Sequence, residues 1–218
     1  MDIKSLITAI KIGGDAMLPL ILIAIIVIIV IIDKILFYRF NCNHRPAIYQ
    51  FIENFNFDWQ EFASMAKRSN SNNIYIQFIL SLINGHRHII DGGNKIDDKS
   101  LLYLEELAID EAKKIEKKLY ANIWILETSI TIAPLIGLFG TIIGMMSSFK
   151  IIANSNQIVN PTGITAGVAE ALIATAGGLL IAIISLCFYN LFQNIQNNKI
   201  NELERMGSKI INYLKNHK

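Results

Sequence analysis

The chain has 218 residues, 52% hydrophobic and only 17% charged, with a formal net charge of +2 and a mean hydropathy of +0.40; soluble domains carry about 25% charge. Such a composition excludes a disordered chain, which needs low hydrophobicity and high net charge. It also excludes a disulfide-stapled secreted domain, since the two cysteines, Cys42 and Cys187, lie far apart, and a nucleic-acid binder, since no basic field exists.

Spanning a bilayer takes about 20 mostly apolar residues, and three stretches qualify. The first is the charge-free run Met17 to Ile32, extending through Asp33 and Lys34 to about Tyr38. It is longer than a signal-peptide core and no A-x-A-like cleavage site follows, so it reads as an uncleaved anchor. Residues 39–118 form the main polar segment, expected to be helical. After Pro46 apolar residues recur at helical spacing (Ile48, Phe51, Ile52, Phe55, then Phe62, Met65, Ala66), and Ile74 to Ile83 is almost wholly apolar. Asn84-Gly85 and Asp91-Gly92-Gly93-Asn94 read as loop punctuation. His86-Arg87-His88 and Cys42-Asn43-His44 read as solvated loop, without metal-site spacing.

From Asp98 the helical pattern resumes at Leu101, Leu104, Leu107, Ala108, Ala112, Ile115, Leu119 and Ile123. No Gly or Pro occurs between Lys99 and Ala133, which predicts one unbroken helix into the second span, residues 119–150. That span carries Glu127 near its inner end, Pro134, which frees a backbone carbonyl and is expected to kink it, and Thr128, Thr131, Thr141, Ser147 and Ser148. Hydroxyls in spans usually bond back to their own helix. A short loop, 151–163, leads to a third span at 164–192, with Glu170 as its one charge. Steps of four through it give small neighbours, Ala166, Glu170, Ala174, Gly178 and Ala182, with Gly167, Ala171 and Thr175 alongside; such rows let helices approach closely. Glu170 is either functional, the default for intramembrane acids, or a structural carboxylate near the interface. The tail, 193–218, has Ile195, Ile200, Leu203, Met206, Ile210 and Leu214 at helical spacing and is expected to continue the third span and pack on the long second helix.

Lysines and arginines set the orientation. Residues 33–122 and 193–218 together hold 17 of the 20, and residues 1–16 and 150–163 hold three. The expected arrangement is all-α: residues 1–16 outside, spans at 17–38, 119–150 and 164–192, and the C-terminus inside.

The string APLIGLFGTIIGMMSSF from Ala133, then GVAEALIATAGGLLIAI from Gly167 and Tyr189-Asn190, resembles the MotA/TolQ/ExbB proton-channel family. The run GGDAMLPLILIAIIVIIVIIDKILFY from Gly13 is similar to the first span of ExbB-type members. The resemblance implies a multi-pass protein of the bacterial inner membrane, a homo-oligomeric, pentameric ring in lipid. Its second and third spans would line a pore holding a dimer of an ExbD/TolR-type single-span partner, coupled to TonB or, in the Tol system, TolA. It implies that Glu170 matches the family's pore glutamate, Thr141 and Thr175 the threonines of the proton path, and Pro134 the proline opening the second motif. Gly137, Gly140, Gly144, Ala174, Gly178 and Ala182 would shape the packing around the pore. Two positions depart from the pattern: Ala182-Ile183-Ile184 stands where relatives have A-I-P, and Glu127 where they have a small residue. No cofactor is implied. Two other readings are a passive membrane scaffold, whose small-residue rows only pack helices, and an intramembrane enzyme, which would need a catalytic partner opposite Glu170 that the spans lack.

Overall fold

The structure is a computed structural model that describes residues 17–42, 73–91, 97–154 and 161–216. It is helical in five elements: α1 (Met17–Asn41), α2 (Ile74–Asp91), α3 (Asp98–Tyr120), α4 (Ile123–Asn154) and α5 (Pro161–Asn216). Three of these, α1, α4 and α5, are long and apolar enough to cross a membrane. The expectation for Ile48 to Ala66 lies outside the described residues, as does that for Gly92 to Asn94. The chain divides into two compact units, one within residues 1–32 and 122–191, the other within 33–121 and 192–218.

In the first unit, α4 and α5 meet along small residues. Beyond its first turn, where Ile123 and Leu126 are buried, the buried positions of α4 are Ser129, Ala133, Gly137, Gly140, Gly144 and Ser148; those of α5 within this unit are Ala171, Ala174, Gly178, Ala182 and Ser185. The larger apolar side chains, such as Leu135, Phe139 and Met146 on α4 and Leu172, Leu180 and Ile183 on α5, are exposed. That is the reverse of a soluble helix, which buries its large apolar residues, and it suits a helix pair surrounded by lipid or further chains. Pro134 is accommodated within α4.

The second unit has a conventional core. Side chains from α2 (Ile74, Phe78, Ile79, Leu82), α3 (Leu101, Leu104, Ala108, Ile115, Leu119) and the tail of α5 (Leu203, Met206, Ile210, Leu214) form one buried cluster. The tail therefore continues the third apolar stretch as one helix and packs on α3, as its periodicity predicts. Local chemistry starts both shorter helices. Asn73 Oδ1 accepts the Tyr75 amide at 3.0 Å at the start of α2. Asp97, extended at φ −104° and ψ 178°, accepts the Ser100 amide at 2.8 Å at the start of α3, as N-cap residues do. The Ser100 hydroxyl, which donates to the same oxygen at 2.7 Å, and the Ser100 amide together hold the Asp97 carboxyl below its usual range.

Three expectations are corrected. First, the predicted unbroken helix is interrupted: α3 ends at Tyr120, Ala121 is extended at ψ 137°, and Asn122 has φ 63°. Asparagine is among the few non-glycine residues that enter the left-handed region readily, so a helix can end without Gly or Pro. Second, Asn84-Gly85 and His86-Arg87-His88 lie inside α2, not in a loop. Gly85 is there because α3 comes close; a Cβ would collide with Leu107 Cδ2 and meet Leu104 Cδ2 at 3.3 Å. Third, Cys42 is buried in the core, and burial pushes its thiol up to about 11, which leaves it in the unreactive thiol form.

His86 is buried, and desolvation lowers its pKa below the ordinary 6.5. The unfolded chain then takes up a proton near pH 6.5 that the fold refuses. The histidine's contribution is thus complete above pH 6.5 and is lost as the pH falls from there toward the folded value. Thermal unfolding in detergent should show lower stability at pH 5.5 than at pH 7.5, and His86→Gln should flatten that dependence.

Candidate functional site: the seam between the two small-residue helices

Small residues let the backbones of α4 and α5 touch. A Cβ on Gly137 would lie 3.0 Å from both the Ala174 carbonyl oxygen and Thr175 Cα, and one on Gly144 would lie 3.0 Å from the Gly167 carbonyl oxygen. On Gly178 it would overlap the Ala133 carbonyl oxygen, and on Gly167 the Ser148 hydroxyl. The register is antiparallel: Ala133 faces Gly178, Gly137 faces Ala174 and Gly144 faces Gly167. Four residues on from Gly137 along α4 is Thr141, and four back from Ala174 along α5 is Glu170. These two polar groups therefore stand at the same level.

Two hydroxyls cross the seam. Thr175 Oγ1 donates to the Gly137 carbonyl at 2.9 Å. Its acceptor is already in the backbone ladder, so the bond adds a polar tie between helices that otherwise meet mostly through van der Waals contact. Near the other end Ser148 Oγ donates to Gly144 O at 3.0 Å and lies 3.3 Å from Ile164 O. The three threonine hydroxyls of α4 turn back on their own helix, as expected: Thr128 to Trp124 O at 2.8 Å, Thr131 to Thr128 O at 2.9 Å, Thr141 to Leu138 O at 2.6 Å. Ser129 does the same, to Ile125 O at 2.7 Å.

The sequence-derived positions fall into two groups. Gly137, Gly140, Gly144, Ala174, Gly178 and Ala182 are all buried, along the faces through which α4 and α5 meet. Thr141, Thr175, Glu170 and Pro134 are half-buried, and Glu127 is exposed. The predicted row through Ala166 and Glu170 drifts off the buried face: Ala166 is exposed and Ala171 takes its place in the stripe. A step of four overshoots the 3.6-residue turn, so a long row of fours winds round the helix. Ser129 and Ser185 were not singled out in the sequence, though each sits among buried small residues. Ser185 Oγ is buried and has no hydrogen-bond partner among the described residues.

A paired span with a backbone-close, hydroxyl-bridged seam defines a class, that of membrane helix pairs packed through small residues, and this one carries a half-buried acid level with a threonine. The sequence profile of the MotA/TolQ/ExbB proton channel family matches residues 71–205, which takes in α4 and most of α5. The chain belongs to this family. It is 40% identical over 91 residues to an ExbB-like biopolymer transport protein of Synechocystis, covering 41% of this chain and 43% of that protein. To the biopolymer transport protein ExbB of Aquifex aeolicus it is 43% identical over 77 residues, 35% of this chain and 51% of the relative. To the Tol-Pal system protein TolQ of Pseudomonas aeruginosa it is 46% identical over 77 residues, 35% of this chain and 33% of the relative. The matched stretch thus spans between a third and a half of these relatives.

Proposed function

We propose that this chain is the ring-forming subunit of an ExbB-type energiser in the bacterial inner membrane, using the proton motive force to drive TonB-dependent outer-membrane transport. The observation that carries the reading is the coincidence of the family match with the seam: the matched stretch contains Thr141, Thr175 and Glu170 together with the small residues that pack them. A proton crossing the membrane releases about 2.3 kcal/mol per 100 mV, and a protonatable group must be presented alternately to the two sides to use it. In this reading the chain forms a pentamer around a dimer of an ExbD/TolR-type single-span partner. Thr141 and Thr175 present hydroxyls to the partner's acid, and Glu170 sets the potential near the outer mouth. Three apolar helices and the lysine–arginine asymmetry support an outside N-terminus and an inside C-terminus.

The identity to TolQ favours a second role, in the Tol-Pal envelope system, and complementation separates the two. Restoration of uptake in a strain lacking ExbB supports the first, whereas restoration of envelope integrity in one lacking TolQ supports the second. For either role, Glu170→Ala is expected to abolish energy-dependent function while expression and oligomer size stay unchanged. Full function in an assembled Glu170→Ala protein would contradict the assignment.

A further inference from the structure

Three times the chain passes between its two compact units: within α1 between Ile32 and Asp33, between Ala121 and Asn122, and within α5 between Leu191 and Phe192. A single hydrogen-bonded knot, wholly inside the second unit, joins all three segments near their crossings, through Lys34 and Tyr38 of α1, Leu119 of α3 and Gln196 of α5. Lys34 Nζ donates to the Leu119 carbonyl at 2.8 Å. Gln196 Nε2 donates to that same carbonyl at 2.9 Å and to the Tyr38 hydroxyl oxygen at 2.5 Å.

All three residues are enclosed: Lys34 is 2% exposed, and Leu119 and Gln196 are 0% exposed. The ammonium also sits 5.3 Å from the centre of the Phe37 ring and 5.9 Å from that of Tyr38. The Tyr38 ring packs against Phe192 at 5.6 Å. Beside the knot, Tyr120 donates its hydroxyl to Asn197 Oδ1 at 2.8 Å.

Leu119 lies in the last turn of α3, just before the break at Ala121 and Asn122. Carbonyls in a last turn lack helical partners, and a cation there is favoured by the helix dipole. Burying an ammonium is nevertheless unfavourable, and a methionine of similar length would fill the same space without that cost. What lysine adds is direction: it fixes α1 to one named carbonyl of α3, and Gln196 fixes α5 to that same atom.

We propose that Lys34 and Gln196 are positioning residues that tie the three crossing segments into one collar, so that a displacement of any one apolar helix reaches the second unit through all three. This rests on the energiser reading above. Its consequence is uncoupling: without the collar, protons still flow but the flow no longer drives work.

The test measures two outputs for wild type, Lys34→Met, Lys34→Arg and Gln196→Met in the assembled complex with its partner. One is proton flux into liposomes and the other is energy-dependent uptake in cells. The expected result for Lys34→Met and Gln196→Met is flux within about twofold of wild type with uptake reduced about tenfold or more, and recovery of much of that uptake in Lys34→Arg. If Lys34→Met does not assemble, Gln196→Met alone decides. Uptake equal to wild type in an assembled variant overturns the collar, as does parallel loss of flux and uptake. Absence of flux in wild type would instead overturn the energiser reading.

Discussion

Replacing Gly178 by alanine is expected to destabilise the α4–α5 pair by roughly 1–3 kcal/mol, the usual cost of overpacking. The added methyl would overlap the Ala133 carbonyl oxygen and stand 3.2 Å from its carbon and 3.3 Å from Gly137 Cα. All three are backbone atoms, which cannot swing aside as a leucine tip can, so the helices themselves must separate. The neighbouring glycine is the control. A Cβ on Gly177 would meet only Met17 and Leu20 side-chain atoms, at 3.8–3.9 Å, which is ordinary contact. Thermal unfolding in detergent should therefore show Gly178→Ala well below wild type and Gly177→Ala close to it. Equal stability of the two variants would contradict the register.

Thr175→Val should have as large an effect on activity as Glu170→Ala. Valine keeps the shape of threonine and loses the hydroxyl that reaches Gly137 O at 2.9 Å. Interhelical hydrogen bonds in membranes contribute about 0.6 kcal/mol on average and up to about 1.7, so the variant should fold and assemble. If the hydroxyl serves proton transfer, flux and uptake fall to background in Thr175→Val and persist in Thr175→Ser. If the residue only packs, the order reverses, because valine fills the site and serine leaves a gap. Comparing the two variants therefore separates chemistry from packing at a single position.

Much of this architecture is legible in the residue order because the bilayer imposes a coarse, long signal. The charge-free run Met17 to Ile32 and the runs Ile123 to Phe149 and Ile164 to Phe192, each with a single charge, fall within α1, α4 and α5. The tail helix was equally legible, since Leu203, Met206, Ile210 and Leu214 keep helical spacing up to the end of α5. Finer features turn on single atoms. Nothing in the spacing of Gly178 says that its hydrogen lies against the Ala133 carbonyl; that follows only once the register is set. The break at Asn122 escaped because it uses a left-handed asparagine instead of a glycine. Gly85 misled in the opposite direction, since it marks a close helix approach and not a turn. The sequence carries the first span on through Lys34 and names no partner for it. Its burial against the Leu119 carbonyl depends on where α3 happens to end.

The central claim is that the seam between α4 and α5 belongs to a proton pathway. Its most direct test is proton flux into liposomes under an imposed potential, with the chain reconstituted together with a single-span protein of the proposed ExbD/TolR type. A pathway along the seam gives flux that requires the partner, depends on voltage, and is lost in Thr175→Val and kept in Thr175→Ser. Flux absent from the wild-type complex, or unchanged in assembled Thr175→Val, would contradict it.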